Sequence, residues 1–185
     1  MARKRKIGRR EPNGRLQRNH EPANADPFKE RMRRYGLSEK DARDQRSSTV
    51  IGRLLMEHLA SGCKPGVGIT EAQYEAGAKL AADSADYARC LQSPRGMGIA
   101  ETLTGSGDEE AAARYVAKVK RAYEGARDVL KRLQERDGLR GTTIFDAVRF
   151  VVEQDLELPH LFPGLRIGLT ELAAYYGTAA EMKAA

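Results

Sequence analysis

Residues 108–138 read DEEAAARYVAKVKRAYEGARDVLKRLQERDG and carry the strongest helical periodicity in the chain. Apolar or small residues recur there at alternating intervals of four and three, which is the a/d pattern of three heptads. Tyr115, Ala122 and Val129 widen this stripe by one position. The pattern therefore predicts a helix that faces more than one neighbour inside a bundle, with the seam of a coiled-coil dimer as the alternative. The residues of the apolar seam are Ala112, Val116, Val119, Tyr123, Ala126, Leu130 and Leu133.

Helical periodicity and helix-start motifs also occur on both sides of this stretch. Asp26 before Pro27, Ser38 before Asp41, and Thr70 before Gln73 are arranged as helix N-caps. No segment alternates with period two over a useful length, and aromatic residues are only 6% of the chain. We therefore expect an all-α fold, a bundle of five to six helices. In the helix after Thr70 the expected inner face is Tyr74, Ala78, Ala81, Ala85, Ala88 and Leu91.

Changes in composition and segments rich in Gly or Pro divide the chain into six parts. The last two helices are expected near Phe145 and from Pro163 to Gly177. The predicted parts are a disordered basic N-terminal arm (1–25), a helical segment (26–62), a turn and helix (63–91), a Gly-rich loop (92–108), the bundle core (109–177) and a tail (178–185).

The excess positive charge of the chain is concentrated in the arm. Residues 3–18 contain eight basic residues and one acidic residue, Glu11, whereas residues 19–185 contain 24 basic and 25 acidic residues. Such a segment cannot bury enough apolar surface to order itself, so it is expected to be disordered. Polybasic segments bind nucleic-acid backbones by releasing counterions, and a merely solubilising tail is the alternative. The basic residues are Arg3, Lys4, Arg5, Lys6, Arg9, Arg10, Arg15 and Arg18.

A membrane partner is not expected. No apolar run approaches the 18–20 residues that a span requires, and the chain begins with MA, which is not a myristoylation signal. The basic N-terminus is followed by polar residues rather than by the apolar region of a signal peptide. We expect a cytoplasmic protein, in the host cytoplasm if a phage encodes it.

Residues 28–46, FKERMRRYGLSEKDARDQR, resemble part of a helix-turn-helix. The positions that carry the resemblance hold Met32, Gly36, Leu37, Ser38 and Ala42. The resemblance implies a recognition helix over 38–46, in which Lys40, Arg43 and Arg46 meet bases and phosphates. An ordinary corner between two helices is the alternative.

A second resemblance extends over most of the chain. The arm pattern KRxxGRREPNGR, the phrases DARDQ, IGRLL and ITEAQYEAG, and the C-terminal LRxGLxxLAxxYG are similar to small uncharacterised proteins of bacteriophages and prophages. This resemblance implies a DNA-related phage role and assigns no functional residues. Small terminase subunits and phage regulators share the layout of a basic DNA-binding end and a helical body that can self-associate.

Signatures of enzymes and of metal sites are missing from the sequence. It contains no phosphate-binding loop, dinucleotide fingerprint, HExxH or GxSxG motif. Cys63 and Cys90 form no CxxC pair, and both are expected to be reduced, partly buried thiols. No catalytic residue, cofactor or metal is predicted.

The predicted function is therefore non-enzymatic binding of nucleic acid, most simply double-stranded DNA, in a phage regulator or a protein of small-terminase type. The alternative is a phage structural or assembly protein, whose arm contacts packaged nucleic acid while the helical body binds other subunits. A homo-oligomer is compatible with both.

Overall fold

The computed structural model describes residues 26–92, 109–137 and 143–178. Within these ranges the fold is all-α, with seven α-helices and no strand. The predicted class is thus confirmed, and the helix count exceeds the predicted five to six because two of the helices have only five residues each. The N-terminal arm, most of the Gly-rich loop and most of the tail lie outside the described residues.

The chain divides into two units, residues 1–43 and 44–185. The described part of the first unit consists of α1 (Pro27–Tyr35) and α2 (Glu39–Arg43). The side chain of Asp26 caps α1 by accepting a hydrogen bond from the backbone N–H of Phe28 at 3.1 Å. Gly36 ends α1 in the left-handed conformation, with φ 64°, which a residue with a side chain adopts only at a cost.

The second unit contains five α-helices joined by shorter helical turns. The α-helices are α3 (Val50–Ala60), α4 (Glu71–Gln92), α5 (Glu109–Asp137), α6 (Ile144–Val148) and α7 (Phe162–Tyr176). The 3₁₀ turn Gln45–Ser48 precedes α3, the π turn Arg149–Glu153 continues α6, and the 3₁₀ turn Pro159–Leu161 leads into α7, whose C-cap is Gly177.

The predicted seam of α5 lies in the core of the second unit. Six of its seven residues are buried, and Val116 is half-buried. Leu130 is 2% exposed and belongs to one apolar cluster with residues of α3, α4, α6 and α7. The three residues that widen the stripe are half-buried as well. The seam is therefore internal to the bundle, as the wider apolar stripe predicted.

The predicted inner face of α4 is right only in its N-terminal half. Tyr74, Ala78 and Ala81 are half-buried, and the first and last of these pack against the core, whereas Ala85, Ala88 and Leu91 are exposed. Ala76, Gly77 and Leu80, which the prediction left out, are buried. A Cβ at position 77 would lie 3.2 Å from Ile51 Cδ1 and 3.3 Å from Leu169 Cδ2, so side chains from α3 and α7 pack directly against this glycine. Alanine is small enough to be tolerated on either face of a helix, so a row of alanines does not mark the buried side. Further along α4 the ring of Tyr87 stacks on that of Tyr123, with 4.8 Å between centroids.

The N-terminus of α3 is held by residues far along the chain. The backbone N–H of Val50 donates to Asp155 Oδ1 at 2.7 Å, and that of Gly52 donates to the hydroxyl of Thr49 at 3.1 Å. Arg53 pairs with Glu157 at 2.9 Å. Together these contacts satisfy backbone donors that a helix start leaves without an intrahelical partner, and they fix residues 155–157 against α3.

None of the helices in the described ranges combines the length and the apolar character needed to cross a bilayer.

Candidate nucleic-acid interface

The structure separates the basic residues that the sequence placed on one recognition helix. Lys40 and Arg43 lie on α2 of the first unit, but Arg46 lies in the 3₁₀ turn of the second unit. The predicted helix over 38–46 ends at Arg43 because Asp44 begins a new turn, its Oδ1 accepting from the backbone N–H of Arg46 at 2.9 Å. The placement of Arg46 on the second helix is therefore corrected. The eight basic residues of the arm lie outside the described residues.

Arg46 is held within the second unit. Its guanidinium lies over the ring of Tyr74, 5.9 Å from the centroid, and its Nε is 3.9 Å from Asp44 Oδ1. Burial raises the pKa of Tyr74, and the nearby guanidinium opposes that rise. The side chain of Arg46 is nevertheless 44% exposed.

The turn between α1 and α2 is capped at the start of the second helix. The hydroxyl of Ser38 accepts from the backbone N–H of Asp41 at 3.2 Å and donates to the Asp41 carboxylate at 2.6 Å. Ala42 is buried, and Met32 and Leu37 are half-buried. These local features occur in a helix-turn-helix and also at an ordinary corner between two helices, and α2, with five residues, is shorter than the predicted recognition helix.

Most cations in the described part of the first unit, residues 26–43, have contacts within it. Arg33 pairs with Glu30 at 2.7 Å, Arg43 pairs with Glu39 at 2.6 Å, and Arg31 donates to the carbonyl of Ala42 at 3.1 Å. The hydrogen bond from Arg33 lowers the pKa of the Glu30 carboxyl. Both ion pairs are on the surface, where water screens the charges and such pairs add little to stability. A phosphate can therefore replace either carboxylate at little cost.

A second group of cations lies along a groove between α5 and α7. Its lining residues are Arg114, Ala117, Lys118, Arg121, Ala122 and Tyr175, which enclose about 490 Å³. We call it the α5–α7 groove. The three cations are exposed, and within the described ranges none of them has an ion pair.

Tyr175, on α7, forms one wall of the groove. It is 46% exposed, and its ring packs edge-on against Tyr176 with centroids 5.1 Å apart. A Cβ at Gly125 would lie 2.5 Å from the Tyr175 hydroxyl oxygen, so the tip of this side chain lies directly against α5 at the glycine and would have to shift if residue 125 were larger. The aromatic wall is therefore positioned by contacts on two sides.

The basic side of this groove is visible in the sequence, although the prediction of a recognition helix did not include it. No acidic residue occurs between Glu110 and Glu124, although four basic residues do. Arg114, Lys118 and Arg121 are spaced by four and three residues, and so they share one face of α5. Only the packing of α7 shows that an aromatic side chain lies beside them.

The described residues contain no group of three or more His, Cys, Asp or Glu side chains able to hold a metal ion.

Cys63 is exposed and Cys90 is half-buried, so the expectation that both thiols are partly buried is wrong for Cys63. His58 Nδ1 lies 2.8 Å from the carbonyl oxygen of Val67 and so has a partner in the fold.

Comparisons with protein-family models, with curated proteins and with solved structures give no match to this chain.

Proposed function

We propose that this protein is a non-enzymatic nucleic-acid-binding protein that binds double-stranded DNA through its N-terminal arm, with the role of a phage regulator or a small terminase subunit. The observation that carries the proposal is the charge distribution: eight basic residues and one acidic residue in residues 3–18, beside a remainder with 24 basic and 25 acidic residues. A charge excess confined to one end points to a polyanionic partner for that end.

The affinity of such an arm comes from the phosphate backbone. Each phosphate that a Lys or Arg neutralises releases counterions, and this makes binding strong at low salt and independent of sequence. Residues Pro12, Asn13 and Gly14 divide the basic residues into two clusters, an arrangement suited to following a backbone or to placing arginines in a minor groove.

The α1–α2 segment supports a further role in choosing the DNA site. Ser38 caps the start of α2, and Lys40 and Arg43 are exposed on that helix. In helix-turn-helix proteins the N-terminal residues of the second helix contact base edges. Under this proposal the arm supplies affinity and α2 supplies preference among sequences.

Deletion of residues 1–18 tests the proposal. The truncated chain should unfold at nearly the same temperature as the parent, because the core lies in residues 44–178. Its affinity for a duplex of random sequence should fall at least tenfold, and the dependence of affinity on salt should flatten by about 0.9 in log–log slope for each phosphate that the arm no longer neutralises. Fluorescence anisotropy between about 50 and 200 mM salt measures both quantities.

A chain whose first 18 residues are scrambled serves as the matched control, since it keeps the composition and charge of the arm. It should bind random duplex as the parent does. Unchanged binding by the truncated chain would show that the arm is not the binding element.

A further inference from the structure

The cations of the α5–α7 groove lie on the side of α5 that the core does not use. Arg114 follows the seam residue Ala112 by two positions, which at 3.6 residues per turn is a rotation of about 200°. Arg114, Lys118 and Arg121 are exposed, while Ala112, four residues before Val116 in the seam, is 4% exposed. Packing of the bundle therefore does not require these three side chains to be basic.

Within the described ranges, no ion pair neutralises these three side chains. On the same helix Lys120 lies 3.9 Å from Glu124 and Lys131 lies 3.5 Å from Asp128, whereas acidic residues only flank the row of three, at Glu110 and Glu124. Three cations on one face repel one another, which destabilises the isolated helix slightly. A bound anion removes this repulsion.

The shape of the groove fits an extended anion better than a small one. Arg114 and Arg121 are separated by seven residues of helix, which is about 10.5 Å at 1.5 Å per residue. The three cations therefore form a row rather than a single point of charge, which suits an extended polyanion. The alanines at 117 and 122 keep the space between the cations open, and Tyr175 closes the groove on the α7 side.

We infer that the α5–α7 groove is a second nucleic-acid site, in which Arg114, Lys118 and Arg121 bind successive phosphates of one DNA strand. The inference rests on the proposed function and extends it, because it gives the folded body its own contact with the DNA that the arm binds. A groove of this charge holds the backbone without reading bases, so it adds affinity and orientation rather than sequence preference.

The test is a full-length triple variant, Arg114→Ala, Lys118→Ala and Arg121→Ala, assayed with a duplex of random sequence. Its affinity should fall at least tenfold, and its salt slope should drop by about 0.9 for each phosphate that the three side chains no longer neutralise. The control variant Lys64→Ala, Lys131→Ala and Arg149→Ala removes the same net charge from exposed positions outside the groove. It should keep nearly all of the parent's affinity. Circular dichroism shows whether both variants retain the fold.

The outcomes separate this inference from the proposal on which it rests. If the parent binds duplex, and the triple variant binds it with the same affinity and slope as the control variant, the groove is not a DNA site while the role of the arm stands. If the parent does not bind duplex even at low salt, both ideas are wrong. A fall in the affinity of the triple variant beyond that of the control supports the groove.

Discussion

Replacing Gly52 by Ala should destabilise the protein, although alanine is the better helix former. Gly52 lies in the first turn of α3, beside the 3₁₀ turn that precedes the helix. A Cβ at this position would lie 1.8 Å from the carbonyl oxygen of Arg46 and 2.5 Å from its carbonyl carbon. These are backbone atoms, which cannot rotate away as the end of a flexible side chain can. The 3₁₀ turn must therefore move as a whole.

The free-energy cost of the substitution comes from the hydrogen bonds and the packing that this movement disrupts. The carbonyl of Arg46 accepts hydrogen bonds from the backbone N–H of Thr49 at 3.1 Å and from its hydroxyl at 3.2 Å. Breaking both costs about 0.5–1.5 kcal/mol each, and forcing a methyl group into a packed site costs about 1–3 kcal/mol. The higher helix propensity of alanine offsets at most about 1 kcal/mol of this cost. The net destabilisation is about 1–5 kcal/mol, which at about 2–4 °C per kcal/mol corresponds to a clear fall in the unfolding midpoint.

Gly164→Ala is the matched control, because the chemical change is the same and the surroundings differ. A Cβ at Gly164 in the first turn of α7 would make ordinary contacts, 3.5 Å from Ala147 Cβ and 3.9 Å from Ile144 Cα. This variant should be more stable than the parent by about 0.4–1 kcal/mol. Urea denaturation followed by circular dichroism compares the two. If Gly52→Ala is as stable as Gly164→Ala, the close approach of α3 to the preceding turn is wrong.

Two further predictions concern the core. Leu130→Ala should lower the free energy of unfolding by about 2–5 kcal/mol, because the side chain is 2% exposed; a decrease well under 1 kcal/mol in urea denaturation would place the seam of α5 at the surface. Burial, together with the hydrogen bond that Tyr176 donates to Asp83, raises the pKa of the Tyr176 hydroxyl. The unfolded chain therefore loses this proton near pH 10, whereas the folded chain retains it. Stability should therefore fall as pH rises above about 10, and Tyr176→Phe should reduce that fall; equal alkaline sensitivity of parent and variant would contradict this assignment.

The sequence was most informative where large apolar residues and helix caps define a helix. The seam of α5 combines Leu130, Leu133 and Tyr123 at heptad spacing, and all three are large side chains that the folded bundle buries. The caps at Asp26 and Thr70 were equally clear, because each uses one side chain and a neighbouring backbone N–H. Features that are local or strongly periodic are therefore found in the structure as the sequence predicts them.

Features that depend on distant residues could not be read in this way. The buried side of α4 is determined by Ile51 and Leu169, which no local pattern connects to Gly77. Likewise, the second helix of the predicted helix-turn-helix stops early because Asp44 bonds to the backbone of Arg46 instead of continuing the helix. The basic side of the α5–α7 groove was visible in the sequence, but its aromatic wall comes from Tyr175 on another helix.

The capping of α3 by Asp155 has a consequence for how the chain folds as it is made. The Val50 N–H and the carboxylate that accepts its hydrogen bond are 105 residues apart, and a ribosome adding about 5–20 residues per second needs about 5–20 s to synthesise that interval. During this time Ile51, Leu54 and Leu55 can pack against α4 but not against the π turn Arg149–Glu153, which contacts α3 in the folded protein. Nascent chains halted before Asp155 should therefore expose the apolar face of α3, the kind of surface that chaperones cover, and bury it only once the C-terminal helices are released.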